Sequence, residues 1–343
     1  MLAHLVNHAN ALLAQHASKK KTPTERPAIA IGLSGGPDSV FLFHLFRLLH
    51  EQGACSLIVA HFNHGWPATA DEEERFCHAL ATTHGIPFAV GRAHNFPVAK
   101  RHQGSQEAIG HRQRRAFFRE LVDHHRIDLI ALGHHREDQL ESFFIRLARG
   151  TSLNGIHGMR PLEGPFIRPL LETSKRDIVS FLLKNNVAYL IDPTNDEKVH
   201  LRNRVRTQLL PALNACDVRF ADNILHAMDR LREEDDFLEK LATSSFEQLF
   251  LTDDSGKRSA SLSAMLALDP VVRRRVILTW LIAEQVAFTP SHGLFDEIIR
   301  FLKTPHGGTH SISEHHHIVK KSSRVWLEKS LPTNPKVGSL PNE

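Results

Sequence analysis

The residues best placed to do chemistry are Ser34-Gly35-Gly36-Pro37-Asp38-Ser39. Adjacent glycines let a backbone turn tightly, adopt positive φ and approach a ligand closely. If a helix follows, its first amides point at an anion and its dipole favours negative charge there. The hexapeptide therefore reads as a phosphate cradle. It is not a GxxxxGKS or GxxxxGKT loop, because no lysine follows the glycines, and its spacing is not GxGxxG. Asp38 sharpens the reading. A carboxylate beside a phosphate repels it unless a cation stands between them, so Asp38 is a candidate Mg²⁺ ligand against a triphosphate. The competing reading is a tight turn with Asp38 or Ser39 as N-cap; the complete hexapeptide favours the cradle.

A second acidic group lies at Glu137, Asp138 and Glu141. On a helix over 137–147, Leu140, Phe143, Phe144 and Leu147 make one apolar stripe. Asp138 and Glu141 fall on the opposite side, and Asp138 becomes the second candidate metal ligand. The competing reading is an acidic first turn that suits the helix dipole. His134 and His135 precede this helix, while His61, Asn63 and His64 end an apolar run. With no cysteine or third aligned ligand beside them, the histidines do not read as a zinc site.

The elements that must position these groups alternate. Strands are expected at 28–34, 56–60, 87–90 and 128–133, with helices at 39–50, 71–84, 106–125 and 137–149. That order implies a parallel sheet covered on both faces. In such a sheet, ligands bind beyond the carboxyl ends of the strands, which brings Asp138 toward Asp38. An amphipathic helix opens the chain on Leu2, Leu5, Val6, Ala9, Leu12 and Leu13. Beyond 213 the alternation fades. The expectation is a catalytic domain over 1–213, a charged helical connector over 214–258, a small mainly helical domain over 259–330 and a loose tail over 331–343. The polar stretch 251–259 is the expected boundary, and 324–328 the single strand of the last domain.

Composition bounds the partners. Of 343 residues, 41% are apolar and 23% charged, which excludes a wholly disordered chain. Three dispersed cysteines, with no CxxC pair, suit a reducing cytoplasm. No apolar run is long enough to span a membrane, and the sequence sets no oligomeric state. The net charge of +4 is an average over unlike parts. Residues 92–119 contain Arg92, Lys100, Arg101, Arg112, Arg114, Arg115 and Arg119 against Glu107 alone. Further basic groups fall at Lys198, Arg202, Arg204 and Arg206, at Arg273–Arg275, and at Lys320, Lys321 and Arg324. Several local excesses on a nearly neutral chain suggest a surface that tracks the phosphates of a folded RNA.

The hexapeptide resembles the signature of ATP-pyrophosphatases, and the motifs after it resemble the tRNA(Ile)-lysidine synthase family in particular. These are His61-Phe62-Asn63-His64-Gly65, Glu107-Ala108, Gly133 to Ser142, Arg149-Gly150, Arg168-Pro169-Leu170, Asp192-Pro193-Thr194-Asn195, and Arg202-Asn203 with Arg206. The likeness runs from about 29 to 213 and is weaker over 263–328. Departures are Glu137 in place of an aspartate, His111 and Arg115 on the 106–125 helix, and Trp66-Pro67 after the HxNHG-like segment.

That resemblance implies an adenine nucleotide alpha hydrolase-like parallel sheet that uses ATP with Mg²⁺. It would join free L-lysine to the wobble cytidine of the isoleucine tRNA with a CAU anticodon. Ser34, Gly35, Gly36, Pro37, Asp38, Ser39, His61 and His134 would hold ATP. Asp38 and Asp138 would be the catalytic, metal-holding carboxylates. Arg112, Arg114, Arg149, Arg202 and Arg206 would meet the tRNA, and Glu141 is the candidate acid for lysine. The rival readings are another tRNA-modifying enzyme built on this loop, such as a cytidine thiolase, and a nucleotide- or RNA-binding protein without catalysis. Thiolation usually needs paired cysteines, which are absent.

Overall fold

The computed structural model describes residues 1–18, 26–66, 69–98, 106–191 and 201–329. Pro67, Lys100, Arg101, His102, Asp192-Pro193-Thr194-Asn195, Lys198 and the expected tail lie outside them, as does the Glu107 side chain. Two compact units result, Met1–Asp229 and Arg230–Glu343.

The first unit runs α1 (Leu2–Ser18), β1 (Ala28–Gly32), α2 (Pro37–Glu51), β2 (Ser56–Asn63), α3 (Ala70–Thr83), β3 (Phe88–Arg92), α4 (Gln106–His124), β4 (Leu129–Ala131) and α5 (Arg136–Arg149). It continues through α6 (Leu153–Ile156), β5 (Leu162–Glu163), β6 (Phe166–Ile167), α7 (Lys175–Lys184), α8 (Leu201–Arg204), a π turn (Val205–Leu209) and α9 (Leu210–Cys216). The sheet order is β3-β2-β1-β4-β6-β5, parallel except for β5. Parallel strands are buried on both faces, hence the unbroken apolar run in β1, where Ile29, Ala30 and Ile31 are fully buried. Helix α2 is apolar on nearly every side and packs as a buried helix, with Phe41 edge-on to Phe181 of α7 at 5.1 Å.

The chain builds outward from β1 to β3, then returns to place β4 on the other side of β1. The order therefore reverses between β1 and β4. Loops leaving two adjacent strands in opposite directions open a crevice there. The loop after β1 carries Ser34–Ser39, and the loop after β4 carries His134, His135 and Asp138.

Helix α10 (Phe220–Leu249) begins in the first unit and ends in the second. The second unit adds β7 (Phe250–Thr252), β8 (Arg258–Ser261), α11 (Leu262–Ala267), α12 (Pro270–Ala283), α13 (His292–Lys303), β9 (Gly308–Ser311), β10 (His316–Lys321) and β11 (Arg324–Lys329). Trp280 centres its core, 4.9 Å from Phe250. Two expectations need correction. The polar 251–259 stretch is the β7–β8 hairpin, turned by Asp253, whose side chain accepts from the Ser255 and Lys257 amides. The single expected strand is one of five, ordered β7-β8-β11-β10-β9.

Two of the basic groups in this unit also turn inward. Arg273 is buried and donates to the carbonyls of Met265, Leu266 and Leu268, which closes α11. Lys320 is buried on the carbonyls of Phe301 and Thr304 at the end of α13. Arg275 pairs with the fully buried Asp235. These three cations satisfy orphan carbonyls or a buried acid instead of facing an RNA.

Candidate active site

Ser34–Ser39 forms a tight loop leading from β1 into α2. Gly35 sits at φ +87°, where a side chain is strained, and a Cβ there would meet Leu190 at 2.9 Å. Leu190 donates its amide to the Gly35 carbonyl at 2.9 Å. Gly36 caps α2, and Pro37 fills its first turn, where a missing N–H costs nothing. Ser39 holds the loop shut, its hydroxyl donating to the Gly36 carbonyl and accepting from the Ser34 amide. These bonds leave the amides after Pro37 aimed out of the helix.

Gly133 sets how close the second loop comes. A Cβ there would stand 3.0 Å from the Asp38 carbonyl and 3.2 Å from the Ser39 nitrogen. Gly133→Val is expected to push the β4–α5 loop off α2 and to weaken ATP binding more than tenfold. Isothermal titration with ATP checks this, and unchanged affinity would show that the close approach is dispensable.

Around the loop lies a cleft of about 1080 Å³, lined by Ser34, Gly36, Asp38, Glu137, Asp138 and Lys175 among others. Lys175, at the start of α7, places its ammonium 2.7 and 2.6 Å from the two Asp38 oxygens. Its amide donates to Glu137 at 2.9 Å. His135 stands between the carboxylates, with Nε2 3.8 Å from Asp38 and 3.5 Å from Asp138, and Nδ1 2.9 Å from Glu137. Burial opposes charge on His135. The bond to Glu137 and the Asp138 and Asp38 carboxylates outweigh it and hold its pKa above the ordinary value. Burial likewise opposes ionisation of Asp138, but His135, Arg202 and the His135 amide keep its pKa low.

His134 goes the opposite way. Burial, with Arg168, Arg114 and Arg202 nearby, presses it down to about 4 despite Asp138, so it is neutral at pH 7. His44 and His64 are also lowered to about 4, burial first in each case. The unfolded chain takes up these protons near pH 6.5 while the fold refuses them. Their contribution to stability is therefore complete above about pH 6.5 and is lost as pH drops toward 4. Each histidine contributes up to about 1.4 kcal/mol per pH unit. Urea melts at pH 7 and 5 measure the slope. It should flatten in His44→Leu; an unchanged slope there would contradict the assignment.

Several expected residues stand elsewhere. His61 is buried, and its Nδ1 donates to the Leu33 carbonyl at 2.8 Å, so it braces the strand before the cradle. Neither His61 nor His134 is part of the cleft lining. Glu141 is fully buried and accepts from Arg202 at 2.6 Å and from Arg206 at 2.6 and 3.2 Å. Arg202 also reaches Asp138 at 2.6 Å. Glu141 is thus already saturated by two guanidiniums, which corrects its assignment to lysine. Arg202 and Arg206, with side chains 39% and 41% exposed, thus already hold carboxylate partners within the chain. The π turn between α8 and α9 follows Arg202 and carries Arg206; such turns concentrate at functional sites. Arg114 is half-buried, with burial and Arg202 disfavouring its charge. Arg112 and Arg149 are exposed.

Sequence reasoning missed Lys175. The signal was the Ser174 N-cap with Asp177 three residues on, which marks a helix start; nothing local says that the start faces Asp38.

A fold of this order, with a glycine loop at its switch point, defines a nucleotide-binding α/β domain. The PP-loop domain family, a family of ATP-binding domains, matches residues 6–213, and the chain belongs to it. Among curated proteins it is similar to the tRNA(Ile)-lysidine synthase of Clostridium acetobutylicum, 35% identical over 229 residues, covering 64% of this chain and 48% of that one. The synthase of Persephonella marina is 28% identical over 309 residues, covering 89% and 66%. The chain spans about half to two thirds of these relatives' length. Of solved structures, the U34-tRNA thiolase NcsA from Methanococcus maripaludis shares the fold, with a TM-score of 0.54 at 16% identity over 67% of this chain and 80% of that one. No helix among the described residues is long and apolar enough to cross a membrane.

Proposed function

We propose that the protein forms lysidine. It would join free lysine to carbon 2 of the wobble cytidine in the CAU-anticodon isoleucine tRNA, at the cost of ATP, and so change codon reading from AUG to AUA. The observation that carries this is the Ser34–Ser39 cradle facing Asp138 across one cleft, in a chain whose relatives carry that enzyme's name.

Asp38 and Asp138 suit Mg²⁺, because they are hard oxygen donors on either side of His135. Mg²⁺ is held by one or two carboxylates and completes its shell with phosphate and water. When bound, the ion offsets charge on the departing phosphates. The cytidine carbonyl oxygen attacks the α-phosphate, pyrophosphate leaves toward the α2 amides, and the lysine amine then displaces AMP. That amine must shed its proton first, through a nearby base or through desolvation. With Glu141 saturated, Glu72 and Glu73 are the acidic cleft residues that suit its cationic groups. Arg112, Arg114 and Arg149 remain the candidate tRNA contacts.

Thiolation is not favoured by the cysteines. Burial pushes the Cys55 and Cys77 thiols up to about 12, where neither is a nucleophile. The proposal is tested by AMP release that requires both the tRNA and lysine; release indifferent to lysine would refute it. Deleting 230–343, the second compact unit, is expected to weaken tRNA use more than ATP binding. Filter binding and ATP titration measure the two, and equal losses would assign that segment a structural role instead.

A further inference from the structure

We propose that Lys175 is a catalytic residue that exchanges partners, from Asp38 in the empty loop to the phosphates of the bound nucleotide. The inference rests on the reading of this cleft as an ATP site.

Asp38 stands in the first turn of a helix whose amides await an anion. Without a nucleotide the helix N-terminus favours its charge, and Lys175 pairs with it, both carboxylate oxygens lying in hydrogen-bond range. The lysine is anchored independently of that contact. Its own amide is fixed on Glu137, and Ser174 caps α7 by accepting from the Asp177 amide. Its four-carbon stem can therefore swing while its backbone stays in place. The side chain is 39% exposed and lines the same cleft as Ser34, Gly36 and Asp38. With the stem swung away, Asp38 would be free to hold a cation, and the Lys175 ammonium, which lines the same cleft as the loop, would pair with phosphate oxygens instead. During adenylation the bond from the attacking oxygen to the α-phosphorus forms, and the bond from that phosphorus to the bridging oxygen breaks. The electron pair stays on pyrophosphate, and Lys175 remains protonated against it. This lysine would provide what the glycine loop lacks in sequence, from the start of a helix 137 positions further along the chain.

Two affinities should move in opposite directions in Lys175→Met. Inorganic pyrophosphate should bind about ten- to a hundredfold more weakly, the scale of one charge-assisted hydrogen bond. Mn²⁺ alone, followed by its paramagnetic resonance signal, should bind more tightly, because Asp38 is released. Lys175→Arg should recover part of the pyrophosphate affinity. Unchanged pyrophosphate affinity in Lys175→Met would overturn the proposal, as would a joint fall of both affinities, which marks a collapsed loop. A wild-type protein that binds neither ATP nor pyrophosphate would instead refute the ATP-site reading itself.

Discussion

Replacing Asp38 with alanine should lower adenylation of the tRNA by about a thousandfold, the upper scale for removing one group that stabilises transition-state charge. The prediction separates chemistry from architecture. The bonds that shape the loop run between Ser34, Gly36 and Ser39, and none uses the Asp38 carboxylate. The loop should therefore survive with the proposed metal ligand gone. The arginines left as candidate tRNA contacts lie on α4 and α5, so RNA affinity should hold within about twofold. Pyrophosphate release and a gel-shift titration on the same preparation measure the two. Full release would show that Asp38 holds no essential cation.

The second large effect concerns stability. Glu141 is fully buried, and both of its oxygens are held by Arg202 and Arg206, whose side chains are 39% and 41% exposed. The asymmetry decides which partner matters. If both arginines become methionine, a buried carboxylate is left alone, at a cost of about 3–5 kcal/mol. If Glu141 becomes glutamine, the arginines can turn to water and the cost should be smaller. Adding Glu141→Gln to the double arginine variant should restore much of the loss. Urea denaturation of the four proteins tests this. Equal losses from the two sides would mean that Glu141 is not confined as its burial implies.

The same residues show what the sequence could and could not reveal. The β1 and β2 runs and the glycine pair are local signals, and each led to the right element. The stripe on α5 marked a helix but not its buried side, since Leu147 is exposed while Asp138 and Glu141 are buried. Side-chain direction is not local. Arg202 and Arg206 read as surface charge because a short basic run without acids usually is one; their acids lie some sixty positions earlier on α5. Lys175 was silent for the same reason. In the second unit, β10 reads His316-His317-Ile318-Val319-Lys320-Lys321, and the buried position taken by Lys320 breaks the apolar alternation that would have announced a strand. His61 lies near the end of β2, and its ring meets the Leu33 carbonyl and not the cleft.

The central claim is that this cleft joins lysine to RNA. Incubating the protein with ATP, labelled lysine and the CAU-anticodon isoleucine transcript tests it most directly. Label should enter the RNA, depend on ATP and disappear in Asp38→Ala. RNA that stays unlabelled with lysine but accepts labelled sulfur would contradict it.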